Sequence, residues 1–382
     1  MIGIMKKYIL LLMTLFTVWA CENADYQVID NSVYLADAAG TNKSMTVTME
    51  KGLDLQIVVR LAKKCDNDVN VIIGFNPQNL KAYNEQNGTE YAELPADKLP
   101  ENIDVTIPAG SINTSVKLHI DDFDTNGITY AIPVEIKNVS GEGDVVKSVE
   151  QGQFIYVLAK PLIVSVPVMK GYNGEKITAA PGEDSPWGIE VDQWTIEAWV
   201  KMSDYSNNNQ AIFTCGSKDH EIYVRFGDAN RPYNYLQVKT LGGQVDTAKD
   251  LVKNTWYHWA FVYDGTTFTI YRNGVKDVSF NPPAPKGGKV RIDRMFMIGS
   301  GSYFRDNCSM SQVRLWKIAR SESEIKNNMY YEVNPQNENL IGYWPMDEGS
   351  GNTFADITGN GHDATADSHI VKGWEHDIRF DK

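Results

Sequence analysis

The sequence predicts an all-β protein built as two successive β-sandwiches. Short segments of alternating polar and apolar residues recur from about Ser32 to Pro345, separated by turns rich in Gly, Asn and Asp. The length, 382 residues, exceeds one ordinary sandwich and is comfortable for two domains. Near the middle, Lys160-Pro161 and Val166-Pro167 interrupt the pattern where a linker is expected. Hydrophobic residues make up 42% and charged residues 22%, which excludes a disordered chain. The 9 Trp and 19 Tyr serve strands and sugar-stacking surfaces alike, so their number separates neither role.

In chain order, Met1 to Lys7 is a short basic head and Tyr8 to Val18 an apolar stretch of 11 residues, too short to span a bilayer. Val18-Trp19-Ala20-Cys21 ends it. Lipoprotein processing requires a small residue directly before a cysteine, whose thiol is acylated as it becomes the new N-terminus. The segment resembles a bacterial lipobox, with Trp19 as a bulky departure. Glu22 and Asp25 resemble the acidic tether of surface-exported lipoproteins in glycan-foraging Gram-negative bacteria. This resemblance implies a leader over 1–21, lipid on Cys21 and an outer-membrane anchor exposed at the cell surface. An ordinary signal peptide with an incidental cysteine is the alternative.

The first sandwich is expected over 26–160. Residues 44–49, Leu53–Leu61 and Val69–Phe75 read as strands, as do the stretches around 104–107, 116–120 and 131–139. That count and spacing suit an immunoglobulin-like sandwich. The polar interruption over 79–97 is expected to hold one helical turn. Tyr83-Asn84-Glu85, Gly88, Tyr91, Ile107-Pro108-Ala109-Gly110 and Tyr130-Ala131-Ile132-Pro133-Val134 resemble an uncharacterised N-terminal domain of bacterial surface lipoproteins, which often precedes lectin modules or family 18 glycosidases. The resemblance implies a spacer and brings no catalytic residue. Gly141-Glu142-Gly143-Asp144 reads as a turn and 153–158 as one more strand.

The second domain is expected over 170–382. Along 194–201, Trp194, Ile196, Ala198 and Val200 fall on one face of a strand and Glu197 on the other. Strands follow at 211–215, 221–226, 256–263 and 267–272. Asp264-Gly265 and Asn273-Gly274 supply positive φ for two tight turns of an antiparallel meander. Strands at 313–316 and 340–345 enclose Ser321-Glu322-Ser323-Glu324, the pattern of a capping box. Five segments stand in family order. They are Trp194-Thr195-Ile196-Glu197-Ala198-Trp199-Val200; Trp256-Tyr257-His258-Trp259-Ala260-Phe261-Val262-Tyr263-Asp264-Gly265; Ile270-Tyr271-Arg272-Asn273-Gly274-Val275; Ser311-Gln312-Val313-Arg314-Leu315-Trp316; and Gly342-Tyr343-Trp344-Pro345-Met346-Asp347-Glu348-Gly349-Ser350-Gly351. Together they resemble the laminin-G-like branch of the concanavalin A-like lectin/glucanase jelly rolls. The expected fold is therefore an immunoglobulin-like sandwich followed by a concanavalin A-like jelly-roll sandwich. Ser311-Gln312 replaces the family's Asp-Glu, so any role of those acids is absent.

The net charge of −13 becomes −15 when the leader lysines Lys6 and Lys7 are removed. Such a balance repels nucleic acid and anionic lipid and suits a neutral ligand. With Cys21 lipidated, Cys65, Cys215 and Cys308 remain. Cys215 and Cys308 could pair, or all three could be small buried hydrophobes, and their spacing fits no zinc site. Jelly-roll glucanases carry carboxylates that alternate on one strand. Here Glu190 and Asp192 would share a face with Glu197 out of phase, so solvated or strand-edge acids are expected. Asp347-Glu348 precedes a Gly-Ser-Gly turn that is structural in the resembling family. No Gly-x-Ser-x-Gly or phosphate loop is present; His220, His258, His362 and His369 are scattered, and His258 reads as a packed histidine.

The resemblance to laminin-G-like and pentraxin-like jelly rolls also implies calcium (Ca) at a loop rim, with Asp356, Asn360 and Asp363, or Asp228 and Asn230, as candidate clusters and no ligand set assigned. Sugar sites use aromatic rings beside Asn, Asp and Arg. Among the loop aromatics Trp187, Tyr205, Tyr233, Tyr235, Tyr303, Phe304 and Trp374, the segments 230–235 and 301–307 combine both features. The glycan-binding candidates are Tyr233, Tyr235, Tyr303, Arg305, Asp306 and Trp187. The expected function is non-catalytic glycan binding, accessory to a polysaccharide or N-glycan uptake system with an outer-membrane transporter and a glycosidase as partners. A jelly-roll glycoside hydrolase and an adhesin for a protein partner are the alternatives.

Overall fold

The computed structural model describes residues 31–141, 144–180, 185–216, 221–229, 231–284 and 288–382. The leader, Cys21, Glu22, Asp25, His220, Asn230 and part of the 141–144 turn lie outside the described residues. Among the described residues no helix is long and apolar enough to cross a membrane.

The first sandwich packs two sheets face to face. One runs Asn113–Ile120, Leu53–Leu61, Asn31–Leu35, Val145–Lys147; the other runs Ser44–Thr48, Gln153–Ala159, Tyr130–Gly141, Val69–Phe75, Ile103–Ile107. Every second residue of Leu53–Leu61 is buried, as the period of two demands. Ile57, Val59, Val71, Ile73, Ile132, Val134 and Tyr156 fill the space between the sheets. The Tyr156 hydroxyl donates to Asp37 Oδ2 at 2.7 Å, and burial pushes its pKa up. The polar interruption holds more than one helical turn: Pro77–Asn87 is a full α-helix. Asn76 caps its first turn by accepting from Gln78 N, Pro77 occupies the first helical position, and Gly88 ends it in the left-handed region at φ 63°.

The second sandwich begins earlier than the sequence pattern implied. Val164–Met169, expected in the linker, is a strand paired with both Cys308–Trp316 and Val371–Ile378. Pro167 is accommodated because Cys308–Trp316 pairs only with Val168 and Met169 of it, so no ladder bond on that side needs the missing N–H. The back sheet runs Val275–Phe280, Phe268–Arg272, Trp256–Tyr263, Trp194–Met202, Cys308–Trp316, Val164–Met169, Val371–Ile378, with Leu340–Trp344 also paired to Cys308–Trp316. The front sheet runs Gly243–Asp246, Leu236–Thr240, Ile222–Phe226, Gln210–Cys215, Met295–Met297, Ile177–Ala179, Ala364–Ala366, Thr353–Phe354. Trp194, Phe213, Phe226, Trp259, Phe261 and Phe268 are buried between them, each contributing about 1.5–3 kcal/mol. The all-β chain of two successive sandwiches is thus the one the alternation predicts, and the jelly roll of the second is the one the laminin-G-like resemblance implies. The meander turn at Asn273-Gly274 has positive φ at both residues, 52° and 72°, the geometry a two-residue hairpin favours. Cys215 lies in the front sheet and Cys308 in the back; both are buried and unpaired.

The outer face of the back sheet is itself covered. The helix Glu322–Asn328, opened by the Ser321–Glu324 capping box, and the segment that follows it lie over Ala260, Val262 and Trp199. Glu197 is therefore not a solvated acid. Its side chain is 0% exposed beside His258, Arg314 and Arg320.

Candidate functional site

The strand Val164–Met169 carries the chain about 20 Å along the back sheet to one end of the jelly roll. Its start pairs with Ile378 and its end with Cys308. The loops 170–176, 203–209, 227–229, 231–235, 298–307 and 367–370 gather at the end where Met169 meets Cys308 and form a rim.

Two of these loops are locked together by side chains remote in sequence. Asp306 accepts from Ser206 N at 2.7 Å, Ser206 Oγ at 2.6 Å and Gln210 Nε2 at 2.8 Å. Gln210 Oε1 in turn accepts from Arg305 N at 3.0 Å and Asp306 N at 2.9 Å. Asn207 Nδ2 donates to Tyr303 O at 2.9 Å, and Ser203 N to Asn307 O at 2.8 Å. The backbone carrying Tyr303 and Arg305 is thereby fixed while their side chains face solvent. Tyr303 is 52% exposed. Arg305 is exposed and its guanidinium has no hydrogen bond or ion pair among the described residues. A rigid ring beside an unpartnered guanidinium offers an apolar face and free donors together, the pairing that recognises a polyhydroxylated ligand.

The remaining expected residues divide. Asp306 belongs to the rim but not to its ligand surface, because its oxygens are consumed by Ser206 and Gln210. Tyr233 and Tyr235 stand on the neighbouring loop, joined to the first pair where Asn209 N donates to Gly227 O at 3.0 Å. The Tyr235 hydroxyl accepts from Asp228 N at 2.9 Å and so braces its own loop. The Tyr233 hydroxyl accepts from Arg231 Nε at 2.9 Å, and the Arg231 guanidinium lies 5.1 Å from the ring centre. Trp187 is not part of this rim. It stacks on His362 at 4.0 Å and on Trp344 at 6.4 Å, toward the opposite end, and half-covers the core there. Phe304 is buried, Tyr205 packs on Phe226 at 5.4 Å, and Trp374 lies within a strand.

One exposed aromatic was missed. Tyr172 is 45% exposed, and its ring lies 4.9 Å from that of His369, which is held by Glu175 through its N–H at 3.1 Å and through Nδ1 at 3.3 Å. The loop reaches the Tyr303 turn because Gly171 backs onto Gly301 and Phe304 more closely than any Cβ could. That glycine directly before a tyrosine was the available signal.

The described candidate calcium residues are engaged by backbone and side-chain groups of the protein. Asp356 Oδ1 accepts from Tyr343 N at 3.0 Å and Thr358 Oγ1 at 2.7 Å, and its Oδ2 from His362 N at 3.2 Å. Asn360 Nδ2 donates to Leu340 O and Ile341 O, and Asp363 Oδ1 accepts from Asp356 N. Asp228 Oδ2 pairs with Arg225 at 2.7 Å. Among the described residues no group of three His, Cys, Asp or Glu side chains is placed to hold a metal ion.

The acids weighed for hydrolysis do not converge. Glu190 is exposed, 3.8 Å from Lys289, whereas Glu197 is buried 3.3 Å from Arg320 Nε, 3.6 Å from His258 Nε2 and 3.9 Å from Arg314 Nη1. Burial and the two arginines hold His258 well below the usual imidazole range, so it is neutral.

Residues 170–326 match a laminin-G-type family model described as the concanavalin A-like lectin/glucanases superfamily. A second model, described as an N-terminal domain, matches 29–143. No curated protein matches the chain. Among solved structures, the chain is similar to a provisionally assigned carbohydrate-binding protein from Bacteroides ovatus, with 22% identity over 91% of this chain and 99% of that one and a TM-score of 0.62. It also matches, at TM-scores too low to carry an argument, a heptameric pentraxin from Limulus polyphemus (0.39; 15% identity, covering 57% and 95% of the two chains) and the ligand-binding domain of botulinum neurotoxin serotype D (0.34; 12%, covering 42% and 40%).

Proposed function

We propose that this chain is a cell-surface lipoprotein that binds glycan without cutting it, lipid-anchored in the outer membrane through Cys21. In this reading residues 26–160 are a spacer and residues 170–382 the binding module. It serves a polysaccharide or N-glycan uptake system beside a transporter and a glycosidase. The observation that carries the binding reading is the rim, where Tyr303 and Arg305 are presented free on loops locked by Asp306 and Gln210. The similarity to a provisionally assigned carbohydrate-binding protein supports the same reading. Against a glycosidase, Glu197 is sealed beneath the helix Glu322–Asn328, out of reach of a sugar.

The test is a glycan array with residues 22–382, with and without calcium, followed by calorimetry and product analysis of each hit. Binding with the glycan recovered intact is the expected result. A trimmed glycan would replace this function with hydrolysis, and an empty array with folded protein would move the rim to a protein partner.

A further inference from the structure

The two sandwiches touch at separate points and leave a hollow between them. Gly127 packs against the backbone of Val333 so closely that a Cβ has no room. Elsewhere Arg379 Nη1 meets Glu50 Oε1 at 2.6 Å, and the linker between the sandwiches docks on the second where Leu162 N donates to Tyr330 O at 3.2 Å. The cleft among these contacts measures about 570 Å³, inside the ~300–1,000 Å³ range of small-molecule sites, which favour domain interfaces. Leu162 and Val164 of its lining pack with Trp199 and Met329 on the outer face of the back sheet, and no residue of the Tyr303 loop lines it.

Its lining is chemically specific. Tyr91 comes from the first sandwich and Tyr331 from the second, with Asn327 and Asn328 at the end of the helix Glu322–Asn328. Asn328 Nδ2 donates to Glu324 O at 2.7 Å, which leaves the Asn327 amide as the one turned to the cleft. Of the charged groups facing it, Glu50 is taken by Arg379, Lys160 by Asp122, and Asp347 by Ser165 N. Glu332 has no hydrogen bond or ion pair among the described residues, and Asp124 accepts only from Asn126 N of its own turn. Lys326 is the opposing cation in the lining. Rings offer stacking faces, side-chain amides offer both donors and acceptors, and free carboxylates accept strongly from hydroxyls. The surplus of acid repels an anionic ligand.

We propose that the cleft where the two sandwiches meet is a second saccharide site, which takes a neutral oligosaccharide and rejects acidic sugars. The proposal rests on the reading of the chain as a glycan binder, and a chain with two separated sites would grip one polysaccharide at two points.

Hydrogen exchange read by mass spectrometry on residues 22–382 tests it, with neutral malto-, xylo-, manno- and chito-oligosaccharides and oligogalacturonate as probes. Slower exchange at 124–129 and 326–332 with a neutral probe and not with oligogalacturonate is expected. It should persist in Tyr303→Ala and be lost in Asn327→Trp, which fills the cleft from an exposed helix position. Protection confined to 203–209 and 299–307 would overturn the cleft and leave the rim standing. Protection confined to the cleft would keep this proposal and remove the rim, and none at 326–332 with any neutral probe would overturn it.

Discussion

Replacing Glu197 by Gln separates the two roles an acid in this fold can have. The side chain is 0% exposed and faces Arg314 and Arg320, themselves 1% and 6% exposed. Arg314 is fixed by Asn328 O at 3.3 Å and Tyr331 O at 2.6 Å, and Arg320 stacks on Trp316 at 4.2 Å. Neither guanidinium can swing to water when the carboxylate is gone. Gln keeps the volume, so no cavity forms, and the cost is that of two buried cations left uncompensated. Breaking a buried ion pair costs about 3–5 kcal/mol. At roughly 2–4 °C per kcal/mol for a sandwich of this size, the melting of the second sandwich should fall by about 6–20 °C. Differential scanning calorimetry of wild type and Glu197→Gln, with the first sandwich as internal reference, reads the shift. A loss below about 1 kcal/mol, the scale of an ordinary substitution, would refute the claim that Glu197 is the counter-charge of this cluster. A variant that kept its stability and lost a hydrolytic activity would make Glu197 a catalytic acid.

Asp306→Asn should lower both stability and ligand affinity, because Ser206 and Gln210 lose a charged acceptor worth about 1.5–3 kcal/mol per strong bond; parallel melting and calorimetry would show the two losses together. Iodoacetamide labelling of the native protein should modify the half-buried Cys65 and spare Cys215 and Cys308. Burial raises both of the latter, Cys215 to about 12, so neither forms thiolate at neutral pH. His119 is raised by its hydrogen bonds to Asp54 and Asp121, so the folded state favours its protonated form. Its contribution is complete below about pH 6.5 and fades as pH rises through the folded value. The melting difference between wild type and His119→Gln should therefore shrink from pH 6 to pH 9.

Much of the fold was legible because its signals are local. Asn273-Gly274 announces a turn, and Ser321 with Glu324 announces a helix start, from residues within four positions of each other. The helix Pro77–Asn87 was under-read although Asn76, Pro77 and Gly88 mark both its ends, because its face is mostly polar and only Leu80 is buried. The rim was legible in part. Tyr303 and Arg305 stand out as an aromatic and a cation in a loop. Asp306 looks the same in sequence and is spent on partners about a hundred residues away, at Ser206 and Gln210. Trp187 reads in sequence as a loop aromatic like Tyr303, and its place away from the rim is set by His362 and Trp344, more than 150 positions on. Glu197 read as solvated because period-two logic gives the face it points to and is silent on the helix that closes over that face.

The most direct test of the central claim is a calorimetric titration of the best array ligand into wild type and the Tyr303→Ala/Arg305→Ala double variant. Loss of one stacking face and one charged donor predicts a weakening of about 2 kcal/mol or more, roughly 30-fold in Kd, with unchanged melting. Equal affinity in the two proteins would place the glycan elsewhere and contradict the assignment of this rim.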